Sequence, residues 1–558
     1  MSQHFLKLRA NIALPGDVAL AERELKSRYA EVRAVEDEES FSADWGLGLR
    51  HVNSNARPHA FPGFVGIGPK ESLDKICREL ACIQEIWLPV EDVSFAKAPF
   101  WSVVKGKRDF ACVLPFMAAA ELWGISKAHA SDRLGLSQLS RDFSEGTAPE
   151  RLASRVSSSP HLHGLHKYKA RFFPRLARML LHQAEGPILD PFVGSGTALV
   201  EASLLGKSSM GVDIDPLSCL ISSAKLNLLS LEPARLAEGM AAMGKPEGGE
   251  YRLPPWMAIK FERKGLVAEQ EAYEATIAGW VQALVRVEDP LVRRILSACI
   301  SDGINRKFNV RMMGTGVGRF ALEVRKSRLD GLIRRSMEQA HLQATRFQQL
   351  RGAYAIELAD SKVVQGNAGA LKLPDNSQGF VLTSPPYLPA ASGREAYLFS
   401  KSIALTALGL MSVEEIQSGR QHVMGSMQAD ADVFHALPEG VTELVDWLAN
   451  DSLRSIKAQP TLAYYQDLQR ALVESYRVLK PGALACWVIG KESVFYTFKT
   501  REVLKRVPCD LLFKQIAEYA GFEVVETLDI ELQKRNLNAR PRSKDPYFES
   551  AIFLRKRA

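Results

Sequence analysis

The stretch 186–216, GPILDPFVGSGTALVEASLLGKSSMGVDIDP, constrains the fold more than any other part of the chain. An apolar strand, PILD, ends in Asp190, and a turn, PFVGSGT, follows it. A helix starts at about Thr197, and a second strand, SSMGVDID, comes after it. This is one β-α-β unit, and two strands joined by a helix imply a parallel pair in an α/β sheet. Gly194 and Gly196 let the backbone approach a ligand where a side chain would block it. Asp213 closes the second strand, 17 residues after Gly196, close to the spacing expected of an acid that accepts hydrogen bonds from a ribose diol. The turn is not G-x-G-x-x-G, because Ala198 and Leu199 stand where the third glycine's surroundings should be. Nor is it G-x-x-x-x-G-K-[ST], which disfavours a P-loop.

A second signal is VLTSPPYLP, residues 381–389, in which an apolar strand ends at Thr383. Pro385 and Pro386 fix φ and remove two N–H groups, so the segment is stiff and offers mainly carbonyl acceptors. An exocyclic base amine is a poor nucleophile because its lone pair is delocalised into the ring. Acceptors from the Ser384 side chain and the Pro385 carbonyl would hold the N–H protons and favour a pyramidal nitrogen. Tyr387 offers a flat face for stacking a flipped base.

The string D-P-F-x-G-x-G-T resembles the S-adenosylmethionine loop of the amino-methyltransferases that act on nucleic acid bases. The resemblance assigns cofactor contacts to Asp190, Phe192, Gly194, Gly196, Thr197 and Asp213. HKYKARFFPRLARMLL (166–181) resembles the F-x-P-x-L segment that precedes this loop and contributes to the methionine pocket, with Lys169, Phe172, Phe173 and Pro174 as candidates. Gly366-Asn367 follows the strand SKVVQ, at the place that faces the adenine ring in the resembling family, so Asn367 is a further cofactor candidate. Ser384, Pro385, Pro386 and Tyr387 take the catalytic roles. The resemblance covers about residues 160–235 and 355–558. It implies a Rossmann-like class I methyltransferase domain, S-adenosylmethionine as cofactor, no metal, DNA as substrate and a cognate restriction endonuclease as a partner. Within that family S-P-P-Y is usual for cytosine N4, and D-P-P-Y or N-P-P-Y for adenine N6. Ser384 therefore tilts the chain to cytosine N4, with adenine N6 as an alternative. The N-terminal region resembles that of the tRNA guanine-N2 methyltransferases with a THUMP module, through Ala21-Glu22, Leu25 and Ile86-Trp87, so tRNA is the other alternative.

Along the chain, the pattern predicts a small α+β (ferredoxin-like) domain over 1–95, in the order β-α-β-β-α-β. A partly helical connection is expected over 96–159, the cofactor half of the methyltransferase domain over 160–235, a helical insert over 236–350 and the catalytic half over 351–558. The run 153–166, with His161, His163 and His166, reads as a solvated linker. Between Asn305 and Arg335 nine Lys/Arg face two acids, Glu323 and Asp330, with Gly314, Gly316 and Gly318 in between. This points to phosphate contacts by Arg319, Arg325, Lys326 and Arg328. The tail adds Arg535, Arg540, Arg542 and Lys544.

A net charge of +7 permits a polyanionic partner without demanding one. The seven cysteines include no C-x-x-C pair, so neither a disulfide framework nor a thiolate zinc site is expected. Pro508-Cys509 is the one Pro-Cys pair, and its position after the catalytic strands argues against a cytosine-C5 nucleophile. With no signal-peptide pattern and no apolar span of membrane length, a cytoplasmic enzyme is expected.

Overall fold

The computed structural model describes residues 2–9, 15–35, 63–92, 101–104, 109–125, 161–168, 172–312, 320–388, 395–419, 424, 436–497, 500, 502–532 and 547–558. Lys169, Gly314, Gly316, Gly318, Arg319, Arg535, Arg540, Arg542 and Lys544 lie outside these residues.

The first sheet has strands β1 (Gln3–Leu8), β2 (Tyr29–Ala34), β3 (Gly63–Pro69), β4 (Ile83–Pro89), β5 (Trp101–Val104) and β6 (Phe110–Val113). Its order is β2-β3-β1-β4-β6-β5. Helices Pro15–Lys26 and Leu73–Glu79 complete a split β-α-β arrangement. Their apolar faces meet the sheet, with Ala21, Leu25, Ile76 and Leu80 fully buried. The β5–β6 hairpin joins this sheet, so the boundary expected at residue 95 falls inside it.

The second sheet holds β7 (Ile188–Asp190), β8 (Ser209–Asp213), β11 (Ser361–Gln365), β12 (Gln378–Thr383), β13 (Leu479–Gly490), β16 (Phe522–Leu532) and β17 (Tyr547–Lys556). Its order is β11-β8-β7-β12-β13-β17-β16. The first five strands are parallel, and β17 inserts antiparallel between β13 and β16. This is a Rossmann-like, doubly wound sheet. Strand order reverses between β7 and β12, and a ligand crevice in an open α/β sheet lies at the carboxyl ends of strands at such a switch point.

The insert between β8 and β11 is mostly helical: Pro233–Met243, Pro255–Glu262, Val267–Val285, Pro290–Lys307 and Leu329–Ala353. It also contains an antiparallel hairpin, β9 (Phe308–Met312) and β10 (Phe320–Val324), which the mostly helical pattern did not predict. A second unexpected hairpin, β14 (Glu492–Tyr496) and β15 (Val503–Pro508), follows β13. The insert shares one core cluster with the helix Pro216–Ser230, through Leu217, Ile221, Ala224 and Leu228.

The two sheets are joined by buried charge. The Arg178 guanidinium donates to Glu201 at 2.8 Å and to the Glu79 carbonyl at 3.0 Å. Arg28 pairs with Glu71 and Glu79 and reaches His182 Nδ1 at 2.7 Å. Leu20 packs in one cluster with Ile530 and Phe553 of the second sheet.

Candidate active site

Both motif turns leave the carboxyl ends of adjacent parallel strands, β7 and β12, which pair through Phe380↔Ile188 and Val381↔Leu189. The link continues in side chains: Thr383 Oγ1 donates to Asp190 Oδ1 at 2.7 Å, and the Phe192 N–H donates to the same oxygen at 3.1 Å. Asp190 is therefore a buried strut between the two loops. Burial pushes its carboxyl up to about 7, against the hydrogen bonds from Thr383 and Phe192.

The glycine turn is held from behind. Gly194 N–H donates to Asp213 Oδ2 at 2.8 Å, and Asp215 N–H to Asp213 Oδ1 at 2.9 Å. A carboxylate has about four acceptor positions, so these two bonds leave Asp213 capacity for a diol. Burial, and then the Asp215 charge, raise Asp213 to about 6. Gly194 and Gly196 have φ of +49° and +76°, in the left-handed region. A Cβ at Gly196 would sit 2.9 Å from Ser222 Cβ. Crowding at Gly196 thus comes from the protein's own helix Pro216–Ser230. Thr197 is the first residue of the helix Thr197–Leu204, and both lie buried.

Asn367 follows β11, which pairs with β8 at Gln365↔Asp213. It stands on the same rim as Asp213, with its Oδ1 bonded to the Gly369 N–H at 2.8 Å. Phe172 and Phe173 are half-buried and pack against a core cluster that includes Leu382. Phe173 precedes the helix Pro174–Leu181 and lies 5.0 Å from the Arg175 guanidinium. Phe192 meets Trp487 edge-on at 6.0 Å and shares with Tyr387 the cluster under the second loop.

In that second loop Ser384 Oγ lies 3.2 Å from the Tyr387 hydroxyl, which donates to Glu549 Oε1 at 2.8 Å. Tyr464 donates to the Pro386 carbonyl at 3.1 Å, so that acceptor faces inward.

Besides Glu549, three residues around the glycine turn escaped sequence reasoning. The Tyr168 hydroxyl is 2.9 Å from Ser218 Oγ and faces Gly194, whose Cβ would lie 3.5 Å from it. Its signal was present, one residue before Lys169 in HKYKARFFP. Asp215 caps the helix Pro216–Ser230 through the Leu217 N–H. Lys401, from the helix Glu395–Ala407, pairs with Asp215 and stands 4.8 Å over the Tyr168 ring. Burial alone would raise the Asp215 carboxyl, but the Lys401 ammonium and the surrounding hydrogen bonds hold it below the usual range.

Residues 153–160 of the histidine run lie outside the described residues, but its end, with His163 and His166, is not a solvated linker. His163 is fully buried with Nε2 2.7 Å from Glu201, and His166 is buried with Nε2 3.1 Å from Ser301. The insert holds this segment, since Asp302 accepts the Lys167 N–H at 2.7 Å. In the basic stretch, Arg325, Lys326 and Arg328 are exposed, whereas Lys307 is buried and donates to the Ser327 carbonyl at 2.9 Å. Burial, followed by the charges of Arg325 and Arg306, lowers Lys167, against the nearby acids Asp302 and Glu323. Burial pushes the Cys509 thiol up to about 12, unsuited to a nucleophile. Among the described residues no three His, Cys, Asp or Glu group to hold a metal ion, and no helix is long and apolar enough to cross a membrane.

No family model matches the chain. It is 23% identical over 369 residues to the type II methyltransferase M.MvaI of Kocuria varians, covering 60% of this chain and 77% of that one. It is 21% identical over 447 residues to the type II methyltransferase M.BsoBI of Geobacillus stearothermophilus, covering 68% and 82%. A shorter likeness, 34% over 90 residues, joins it to the tRNA (guanine(10)-N2)-dimethyltransferase of Pyrococcus abyssi, covering 16% of this chain and 23% of that one. The parallel sheet and the relatives agree with what the motifs implied: over most of its length the chain is similar to the type II methyltransferases.

Proposed function

We propose that the chain methylates an exocyclic amine of a nucleic acid base, at N4 of cytosine in DNA. The observation that carries this reading is the Thr383–Asp190 bond, which sets S-P-P-Y beside the glycine turn at the switch point. The residues fit the cofactor: a left-handed glycine turn backed by Asp213, with Asn367 on the neighbouring strand end and Phe192 half-buried beside the turn. S-adenosylmethionine supplies an electrophilic methyl group when bound. Asp213 would take the ribose hydroxyls, and Asp190 would hold the two loops in register. Ser384 and the Pro385 carbonyl would accept the amine protons, and Tyr387 would stack the flipped base. Positioning and preorganised acceptors supply the rate, with no covalent intermediate on the protein. Arg325, Lys326 and Arg328 would neutralise phosphates, with Arg319 as their companion in sequence.

A second reading, guanine N2 in tRNA, is favoured by the ferredoxin-like order of the N-terminal elements and by the short likeness to the Pyrococcus protein. Ser384 counts against it. Incubation with labelled S-adenosylmethionine and either DNA or tRNA, digestion to nucleosides and identification of the labelled base decide the matter. N4-methylcytosine is expected. Label in guanosine from tRNA, or in adenine, would replace this reading.

A further inference from the structure

We infer that Glu549 is a positioning residue for the S-P-P-Y loop, fixing through Tyr387 the direction in which the Ser384 hydroxyl points its proton. The inference rests on the amine-methylation reading above. Tyr387 has a single hydroxyl proton, and it is donated to Glu549 Oε1 at 2.8 Å. The 3.2 Å approach of Ser384 Oγ to the Tyr387 oxygen then requires Ser384 as the donor. A directed chain results, from Ser384 to Tyr387 to Glu549. With its own proton committed inward, the Ser384 oxygen turns only lone pairs outward. An amine that brings N–H donors needs that polarity; a hydroxyl free to rotate would spend part of its time presenting a proton instead.

The far end of the chain is well anchored. Glu549 lies on β17 between two partner strands, opposite Gly490 of β13 and Ile530 of β16. Its neighbour Ser550 is fully buried and donates to Asp529 at 2.8 Å. The acid therefore has a backbone fixed in the sheet, whereas S-P-P-Y is an irregular loop after β12. The Tyr464 bond to the Pro386 carbonyl holds the loop from a second side. Anchoring the phenol also fixes the tilt of the ring offered for stacking.

The test is a cycle of Glu549→Gln, Tyr387→Phe and the double variant, read as kcat and KM for labelled methyl transfer to DNA. Gln keeps size and shape, so the fold should survive, but its amide can donate as well as accept. Each single variant should lower kcat about tenfold, the scale of one missing hydrogen bond, with KM little changed. The double variant should be no slower than Tyr387→Phe alone, because Glu549 acts only through the phenol. Losses that multiply would overturn the proposal, as would a Glu549→Gln enzyme of wild-type rate. A second readout needs no substrate. With 13Cζ-labelled tyrosine, the Tyr387 signal, identified by its loss in Tyr387→Phe, should move in Glu549→Gln. An unmoved signal would remove the hydrogen bond and the proposal with it. A wild-type protein that methylates no nucleic acid would sink the amine reading on which this positioning role rests, while the carbon signal would still decide the Glu549–Tyr387 bond.

Discussion

Thr383 and Asp190 share a 2.7 Å hydrogen bond across the paired strands β12 and β7, and through it the two motif loops become one structure. Asp190 Oδ1 also receives the Phe192 N–H, so the carboxyl orients the start of the glycine turn as well. Thr383→Val keeps the shape and removes the donor. The buried carboxyl would lose its side-chain partner, at a cost of about 1–3 kcal/mol. Urea unfolding should show that loss, and calorimetry should show weaker cofactor binding. Unchanged values in both would mean that the loops keep their register without this bond.

The burial of Asp190 has a pH signature. Its folded value, about 7, lies above the ordinary 3.8, because burial disfavours the charged form. The neutral acid therefore favours folding: its contribution is full below the unfolded value and lost as pH rises through 7. For this shift the loss is up to about 4 kcal/mol. Asn accepts the same bonds without titrating. Asp190→Asn should thus be more stable than wild type at pH 8, and the gap should close as pH falls to 4. Asp17 and Asp213 are raised too, so the difference between the two proteins is the quantity to plot. A gap that does not vary with pH would contradict a buried, proton-binding Asp190.

The glycine turn offers a separation of fold from ligand. Gly196→Ala places a Cβ against Ser222 at a φ of +76°, and left-handed backbone costs an L-residue about 1–2 kcal/mol before any clash. Gly194→Ala carries the same kind of strain, but its Cβ meets Tyr168 at an ordinary 3.5 Å. Urea unfolding should show the larger stability loss for Gly196→Ala. Gly194→Ala should lose cofactor affinity out of proportion to stability, by calorimetry on folded protein. Equal stability losses would assign both glycines to the turn alone.

What the sequence disclosed and what it hid divide by distance along the chain. D-P-F-x-G-x-G-T and S-P-P-Y declare themselves through local turn chemistry after an apolar strand. The alternation of strand and helix around them carries the parallel sheet. Glu549 lies 162 residues from Tyr387, and Lys401 lies 186 from Asp215; no periodicity links such pairs. His163 and His166 sit in a Ser- and His-rich run that looks solvated, and Glu201 and Ser301, brought in by the fold, give them buried partners. The β9–β10 hairpin is five residues a side between long helices, so helical periodicity on both flanks concealed it.

The basic insert yields the last prediction, and the structure sharpens it by dividing the charges. Arg325, Lys326 and Arg328 are exposed beside the hairpin, whereas Lys307, in the same run, is buried with its ammonium bonded to the backbone and 4.7 Å over the Tyr273 ring. If the first three meet phosphates, replacing them together with Gln should weaken DNA binding. The slope of log affinity against log salt should flatten by about 0.9 for each phosphate of duplex DNA that is no longer neutralised. Cofactor affinity should hold, because none of the three touches the glycine turn. Lys307→Met should do the reverse, lowering stability while leaving the slope alone. Competition between duplex DNA and tRNA in the same titration ranks the two polymers. An unaltered slope in the triple variant would make this surface a solvated helix start, and tighter competition by tRNA would favour the guanine-N2 reading.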